Sequence, residues 1–187
     1  FSKTKLTTLG SSAFSNCSSL VNVNLSSGSL TTINTTAFLN CTSLTTIVIP
    51  STVTSIAGSV FRGCSALTNL TLPFIGSSST TATYRSNSVL FGYIFGSTSY
   101  TGSTEISQTY YSSSTSTSTT TIKYYIPSSL TNLTITGASG KQAVYNYAFI
   151  GCTQNLNVTL NSGIINPYAF ASFTGLKTFT FGKAYTN

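Results

Sequence analysis

The sequence is nearly devoid of the side chains that most enzymes and metal sites use. It contains no histidine, no aspartate and a single glutamate, Glu105, among 187 residues. A Ser-His-Asp triad, a Cys-His pair and a pair of catalytic carboxylates are therefore excluded, and hard cations lack the carboxylates that they require. No glycine-rich phosphate loop ending in lysine is present. We expect a protein that is not an enzyme, with no catalytic residues, no cofactor and no metal.

Charge of either sign is also scarce, at 5% of residues, against roughly a quarter in ordinary soluble domains. The formal net charge is +7, and the basic residues are spread singly at Lys3, Lys5, Arg62, Arg85, Lys123, Lys141, Lys177 and Lys183. Cations without a run or a common register are typical of solubilising charges on a neutral surface, so no nucleic-acid partner is expected. No stretch approaches the roughly 18 apolar residues of a membrane span, so membrane insertion is not expected.

One short motif recurs five times along the chain. It consists of a small residue (valine in the third copy), phenylalanine, two variable residues, cysteine, and leucine three or four positions later. The copies are AFSNCSSL, AFLNCTSL, VFRGCSAL, AFIGCTQNL and AFASFTGL, beginning at residues 13, 37, 60, 148 and 169. Neighbouring copies thus begin 24, 23 or 21 residues apart, except for one gap of 88. A period of roughly 20–29 residues is that of leucine-rich repeats.

This pattern predicts a leucine-rich-repeat solenoid dominated by β-structure, with about six coils and one long insertion. A parallel sheet is expected on one face, and short extended segments with helical or 3-10 turns on the other. The strands alternate apolar and polar residues, as in LTTIVIP at 44–50. They are expected at 20–25, 44–49, 67–72, 130–135, 156–160 and 176–181.

The phenylalanine and cysteine of each motif are expected to stack, coil upon coil, as a core ladder. Its members are Phe14, Cys17, Phe38, Cys41, Phe61, Cys64, Phe149, Cys152, Phe170 and Phe173. Phe173 stands where the other copies have cysteine, and an aromatic ring can fill a core slot but cannot ligate or cross-link. Buried reduced thiols are therefore favoured, with disulfides between adjacent coils and a metal site as the alternatives.

The domain organisation is predicted as repeat coils at 1–73, an insertion at 74–129, and coils of the same domain continuing at 130–187. The insertion has an aromatic part at 76–100 and a Ser/Thr-rich part at 112–121, which is interpreted as a mobile loop or hairpin tip. Its phenylalanines and Ile94 are expected to form a small satellite core at the edge of the solenoid.

Two outward-facing rows of polar residues run across the predicted sheet. The first contains Asn22, Thr46, Asn69, Asn132, Asn157 and Thr178, and the second Asn24, Val48, Thr71, Thr134, Thr159 and Thr180. Either these residues bond to one another and keep the face soluble, or they form a neutral recognition face. In the second case Phe91, Tyr93 and Tyr100 of the insertion would border the contact, because tyrosine is enriched at recognition surfaces.

The repeat unit resembles the BspA-like leucine-rich repeats of bacterial surface proteins, most closely in LTTIVIPSTVTSIAGSVFRGCSAL at 44–67. The likeness covers 1–73 and 130–181, and the Phe-Gly-Tyr-Ile-Phe-Gly stretch of 74–129 also resembles insertions in such arrays. The resemblance implies a right-handed solenoid on an extracellular or cell-surface protein, often an adhesin.

These observations favour a recognition or adhesion module of a larger surface protein, which binds a protein or glycan surface. The alternative is a structural spacer or a filament unit that associates end to end. Neither end of the sequence carries the atypical polar cap that shields terminal coils, so we also expect a piece of a longer protein.

Overall fold

The computed structural model shows a solenoid and describes residues 6–25, 28–79, 86–111, 118–138 and 140–182. Several sequence-based expectations concern residues outside these ranges, namely those for Lys3, Lys5, Arg85, Lys183 and the proposed loop at 112–117. In chain order the strands are β1 (Thr8–Leu9), β2 (Asn22–Val23), β3 (Thr32–Ile33), β4 (Thr46–Val48), β5 (Ser55–Ile56), β6 (Asn69–Leu72), β7 (Ser103–Tyr111), β8 (Thr119–Pro127), β9 (Asn132–Ile135), β10 (Gln142–Val144), β11 (Leu156–Leu160), β12 (Ile164–Ile165) and β13 (Leu176–Phe181).

The main sheet has six parallel strands in the order β2-β4-β6-β9-β11-β13, which is the order of the chain. Each of these strands lies within a segment predicted from the leucine spacing. Strands β6 and β9 pair directly, Asn69 opposite Asn132, although the insertion lies between them in sequence. The predicted leucine-rich-repeat solenoid is confirmed, while the limits of the insertion at 74 and 129 stay a prediction.

A second side of each coil carries the short return strands. They form two small parallel sheets, β1-β3-β5 and β10-β12. Residues at the start of the insertion fill the space between these sheets: the Ile56 amide donates to Ser77, and the Ile75 amide donates to Ala143 at 2.8 Å in each case. The side of the solenoid is therefore interrupted by irregular chain, whereas the main sheet is continuous.

The motifs form turns, and each contains two residues in the left-handed backbone region. One precedes the small residue, at Ser12, Thr36, Ser59, Tyr147 and Tyr168, and the other precedes the Cys position, at Asn16, Asn40, Gly63, Gly151 and Ser172. Left-handed residues interrupt a right-handed helix. Among the described residues, 3-10 helix accordingly occurs in the insertion, at Asn87–Val89 and Phe91–Ile94, and not in the motifs.

Stacked phenylalanine rings connect the motifs of neighbouring coils. The ring centroids of Phe14 and Phe38 are 5.3 Å apart with planes 3° from parallel, and those of Phe38 and Phe61 are 5.8 Å apart. At the other end, Phe149 and Phe170 stack at 4.9 Å. Such contacts stabilise the stack beyond the burial of their apolar area.

The insertion supplies a further turn to this stack. Phe95 lies 6.3 Å from Phe61, and Phe91 lies 4.9 Å from Phe149, measured between ring centroids. The Phe61 amide donates to Ile94 as the Phe38 amide donates to Val60, and the Phe91 amide donates to Ala148. We call residues 86–98 the inserted turn; together with the five motifs it makes six stacked turns among the described residues, which matches the six strands of the main sheet.

The expected satellite core is therefore wrong. Phe91, Ile94 and Phe95 belong to the same buried cluster as the leucines and phenylalanines of the coils. The physical reason is the gap that the insertion itself creates: motifs three and four are 88 residues apart in sequence, and their facing rings would lose packing contacts if nothing lay between them.

Strands β7 and β8 form an antiparallel hairpin that packs on the inserted turn. Gln108 of β7 is fully buried; its side-chain oxygen accepts from the Gly92 amide at 2.7 Å, and its Nε2 donates to the carbonyls of Ala148 and Ile150. One side chain thus satisfies backbone groups of two adjacent turns. Residues 119–121, expected in the loop or hairpin tip, are part of β8, consistent with the preference of threonine for strands.

The outer face of the hairpin carries the glutamate of the chain. Lys123 Nζ lies 2.8 Å from Glu105 Oε1, and the Tyr125 hydroxyl donates to Oε2 at 2.8 Å. The hydrogen bonds from Lys123 and then Tyr125 lower the pKa of the Glu105 carboxyl. Because the pair is exposed to solvent, it contributes little to stability.

Three of the four cysteines are buried, and all four are free thiols. Cys41 Sγ donates to the Phe14 carbonyl at 3.1 Å, and Cys64 Sγ to the Phe38 carbonyl at 3.2 Å, one coil back in each case. Loss of solvation on burial raises the pKa of Cys41 to about 11 and the pKa values of Cys64 and Cys152 to about 12. These thiols are consequently protonated near neutral pH and inert as nucleophiles.

Cys17 departs from the expected core ladder because it is exposed. No described coil packs on its outer side, and Phe14 of the same motif is only half-buried for the same reason. At the opposite end Phe170 is also half-buried, while Phe173 is 8% exposed. Three of the four ladder positions in the two end coils, Cys17, Phe14 and Phe170, are thus more exposed than those between them, whereas Phe173 remains buried.

Truncating Phe38 to alanine should destabilise the protein by about 3–5 kcal/mol, because the ring is 0% exposed and packs between two others. Urea denaturation followed by circular dichroism measures the effect. Phe14→Ala is the matched control and should cost clearly less, since Phe14 has a described ring on one side only. Equal unfolding midpoints for Phe38→Ala and the parent would show that the ladder is not core.

The native protein should react with Ellman's reagent at one thiol, Cys17, and the urea-unfolded protein at all four. Burial and the raised pKa values keep Cys41, Cys64 and Cys152 unreactive near pH 8. A Cys17→Ser variant should show no native reactivity. Rapid labelling of that variant would mean that the inner thiols are accessible.

Candidate recognition surface

The exposed face of the main sheet carries the first predicted row in register. The strand pairing places each member of this row opposite the next one on the adjacent strand, and all six side chains are exposed. In strand order the members are Asn22, Thr46, Asn69, Asn132, Asn157 and Thr178. We call these six residues the Asn row. Adjacent strands in a sheet are about 4.8 Å apart, so the row repeats a side chain at that interval.

Hydrogen bonds link the Asn row from strand to strand. Asn69 Nδ2 donates to Thr46 Oγ1 at 3.4 Å, Asn132 Nδ2 to Asn69 Oδ1 at 2.9 Å, and Asn157 Nδ2 to Asn132 Oδ1 at 3.1 Å. Thr178 Oγ1 then donates to Asn157 Oδ1 at 3.0 Å. The bonds all run in one direction, from the later coil to the earlier one.

The amide donors of the central asparagines have a second set of partners. Asn69 Nδ2 also donates to Thr68 Oγ1 at 3.0 Å, and Asn132 Nδ2 to Thr131 Oγ1 at 3.2 Å. An asparagine side chain has two N–H donors, so both are used at these positions. The Asn row therefore acts first as a structural element that joins the strands and holds the face rigid.

A second row, parallel to the Asn row, carries threonine hydroxyls that are not used in hydrogen bonds between its members. Val48, Thr71, Thr134, Thr159 and Thr180 lie opposite one another in the strand pairing, and we call them the Thr row. Asn24, which the sequence places at the head of this row, is exposed and lies just beyond β2. Within the part of the chain that the structure describes, the hydroxyls of Thr71, Thr134 and Thr159 make no side-chain hydrogen bond, so each can donate or accept.

An apolar recess lies at one end of the Thr row. It has a volume of about 280 Å³ and is lined by Val23, Asn24, Leu25, Val48 and Pro50. Val48, the last residue of β4, is an apolar side chain that is 53% exposed. The face thus combines hydroxyls with a site for apolar contact.

The described cations lie away from both rows or at their edge. Arg62 is in a motif, Lys123 is in the hairpin, Lys141 precedes β10, and Lys177 is in the terminal strand β13. The carboxylate of Glu105 is bound to Lys123 on the hairpin. The centre of the face therefore has no charge that could steer a charged partner.

The aromatic border predicted for this face is not where the sequence placed it. Phe91 is fully buried against Phe95 and Phe149. Tyr93 is half-buried beside Gly58 and Ser59 in a recess of about 180 Å³ on the turn side. Tyr100 is half-buried with its hydroxyl enclosed, and loss of solvation, followed by the nearby Cys64, raises the pKa of that hydroxyl. Phe91 and Tyr93 pack into the core around the inserted turn, so the buried Phe91 ring is unavailable for binding, whereas Tyr100 stays partly exposed.

Of the two remaining features of this face, the Thr row and the apolar recess, the sequence indicated only the first. The Thr row was recognisable from its spacing, but the sequence did not distinguish paired hydrogen-bonding groups from unpaired ones. The recess was missed because Val23 and Leu25 come from the first coil, whereas Val48 and Pro50 come from the second. Among the residues that the structure describes, no group of three or more His, Cys, Asp or Glu side chains could hold a metal ion.

No helix among the described residues is long and apolar enough to cross a membrane.

A family model for the BspA-type leucine-rich repeat region, which comprises six copies, matches residues 1–115 and 93–187. The chain belongs to the BspA-type leucine-rich repeat family. The two matches overlap within the insertion, so the family region runs across it. No curated protein and no solved structure matches the chain.

Asn132→Ala should destabilise this BspA-type array by about 1–2 kcal/mol, because the amide bonds to Asn69, Asn157 and Thr131. The free energy of unfolding in urea measures the change. Thr134→Ala on the same strand is the matched control, and its cost should stay within about 0.5 kcal/mol because its hydroxyl has no described side-chain partner. Equal losses in the two variants would contradict a structural role for the Asn row.

Proposed function

We propose that the chain is a non-enzymatic recognition or adhesion module of an extracellular or cell-surface protein. It binds a neutral protein or glycan surface through the main-sheet face. The observation that carries this proposal is the Thr row, whose inner hydroxyls at Thr71, Thr134 and Thr159 are partly exposed and have no described side-chain partner. Membership of the BspA-type family supports a surface repeat module.

Because the same type of side chain recurs on successive strands, several weak uncharged contacts can add up to stable binding of a partner. Strands β6, β9, β11 and β13 each present a threonine hydroxyl at the same position in the register, so a partner with regularly spaced polar groups can bond to several strands at once. The Asn row holds these strands in register through its own hydrogen bonds. A face that is rigid before binding loses little conformational entropy when a partner docks.

The apolar recess beside Val48 adds the second kind of contact. Binding surfaces commonly combine apolar area with a few directed polar groups. A sugar ring or a neutral protein surface offers both kinds of group. Charge contributes little, because the face has no acid and Lys177 stands at its edge.

A structural role is the second candidate, and the Asn row is the observation that favours it. Both N–H donors of the Asn69 side chain, and both of the Asn132 side chain, are bonded to neighbouring residues of the protein. A spacer that only displays other domains would need such bracing and no partner. The two functions differ in what they require of the Thr row, which bracing does not use.

Binding of the chain to an array of neutral glycans and extracellular-matrix proteins tests the recognition function. Thr134→Arg should weaken binding by at least about 10-fold, because it places an unpaired cation at the centre of the contact. Ser107→Arg on the exposed outer face of the hairpin adds the same charge elsewhere and should leave binding unchanged.

The salt response provides an independent check. Affinity should change by less than about threefold between about 0.05 M and 0.5 M NaCl, because the contact is uncharged. Loss of most affinity over this range would contradict the proposal and assign binding to the cations, led by Lys177 and Lys141. Equal losses in Thr134→Arg and Ser107→Arg would also contradict it.

A further inference from the structure

The two outer edges of the hairpin differ in how the rest of the protein covers them. Strands β7 and β8 form a two-stranded sheet by themselves, so each strand has one edge that faces away from the other. On β7 that edge is covered near its middle, because the Ser107 carbonyl lies so close to Gly151 that a Cβ at this glycine would overlap it. On β8 the edge is covered at Tyr125, whose amide donates to the Gly96 carbonyl of the inserted turn at 3.1 Å.

The direction of the backbone groups along β8 follows from this contact. In an antiparallel pair, residues that stand opposite one another alternate between pairs that exchange hydrogen bonds and pairs that do not. Tyr125 stands opposite Glu105 and turns its amide away from β7, so this pair is of the second kind. At steps of two residues, the amide and carbonyl groups of Lys123, Thr121 and Thr119 must also point away from β7.

These outward groups are open to another strand. Within the described ranges, no backbone hydrogen bond joins Thr119, Thr121 or Lys123 to a residue outside the hairpin. Proteins commonly protect such an edge with proline, a bulge, a short strand or a free charge. Strand β8 has nine residues and a continuous register with β7, its proline is the last residue, and the charge of Lys123 is paired with Glu105.

A recess lies along the open edge. We call the recess of about 180 Å³ beside Tyr93 the turn-side recess. Its wall includes Ile122 of β8 and also Gly96, whose carbonyl accepts from the outer edge of β8. The described residues that line it carry no charge, and its other polar side chains are Ser59, Asn87, Ser97 and Tyr124. A strand added to β8 would direct alternate side chains toward this recess, which suits an uncharged side chain.

The spacing of the outward groups identifies the chemistry of the partner. Each outward residue offers one donor and one acceptor, and such residues recur about every 6.8 Å along an antiparallel strand. An extended polypeptide repeats its own donors and acceptors at the same interval. A second copy of the chain fits less well: pairing two β8 edges about Thr121 would bring the chain that precedes Thr119 of one copy against Gly96 of the other.

We propose that the outer edge of β8 binds an uncharged, extended segment of another polypeptide, which joins the hairpin as a third strand and places one side chain in the turn-side recess. In recognition of this kind, main-chain hydrogen bonds supply affinity and the pockets for alternate side chains supply specificity. The site lies on the hairpin and not on the main-sheet face, so it does not rest on the Thr row.

Selection from a displayed library of uncharged nine-residue peptides, the length of β8, supplies the probe. Fluorescence anisotropy then measures the Kd of each enriched peptide. N-methylation of alternate residues should weaken binding by at least about 10-fold in one register and leave it unchanged in the other, because every second amide of an added strand faces β8. Equal effects in the two registers, or a library from which no peptide is enriched, would overturn the proposal.

Thr121→Pro tests the edge from the side of the protein. It removes an outward amide and keeps the hydrogen bonds between β7 and β8, since proline is tolerated where an edge amide faces solvent. Peptide binding should fall by at least about 10-fold. Thr109→Pro is the matched control and should bind like the parent. Thr109 stands opposite Thr121, its amide points away on the β7 side, and both variants lose the same 2.9 Å bond between the two hydroxyls. Equal losses in the two variants would contradict the assignment to β8.

Circular dichroism establishes that each variant is folded, and if Thr121→Pro is not, the N-methylated peptides decide the outcome with the parent protein. Thr134→Arg should leave peptide binding unchanged, so a failure of the recognition function at the Thr row does not affect this result. Sedimentation velocity identifies the other occupant. Self-association of the parent that Thr121→Pro abolishes would assign the edge to a second copy of the chain and overturn the proposal.

Discussion

Each coil of this protein has an apolar surface that only another coil can cover. Leu44, Ile47 and Phe38 are fully buried because coils lie on both sides of them, whereas Phe14 is half-buried with a described coil on one side. Stability of such an array is approximately the sum of contacts between neighbours. The need to stack sets the register of the main sheet, and the register in turn aligns the Asn row and the Thr row. The alignment of polar side chains on the exposed face is thus a consequence of core packing.

The insertion obeys the same constraint. A segment that merely looped out would leave Phe61 and Phe149 without facing rings, and the inserted turn places Phe95 and Phe91 against them. The hairpin then closes over this turn, and Gln108 satisfies backbone groups that neighbouring coils would otherwise satisfy. Because β6 and β9 pair directly, the extra turn leaves no interruption in the exposed face. The insertion therefore changes the turn side of the solenoid and leaves the main sheet continuous.

Uncharged polar side chains determine the properties of the exposed main-sheet face, whereas stacked apolar side chains fill the interior. Serine, threonine and asparagine can bond to one another across strands at a spacing of about 4.8 Å, which charged side chains of one sign could not do without repulsion. In the Asn row this capacity is spent on the protein itself, and in the Thr row it is available to a partner.

The sequence by itself determined the repeat unit, the order of the main strands and the register of Asn22, Thr46 and Asn69, because equivalent positions of stacked repeats must fall opposite one another. It could not determine the burial of Phe91, since the insertion occurs once and the packing partner Phe149 is distant in the chain. The exposure of Cys17 and the left-handed backbone at Tyr147 and Tyr168 were likewise unforeseen. Only the tertiary structure decided which polar groups are already paired, because that depends on distances between side chains of different coils and not on residue type.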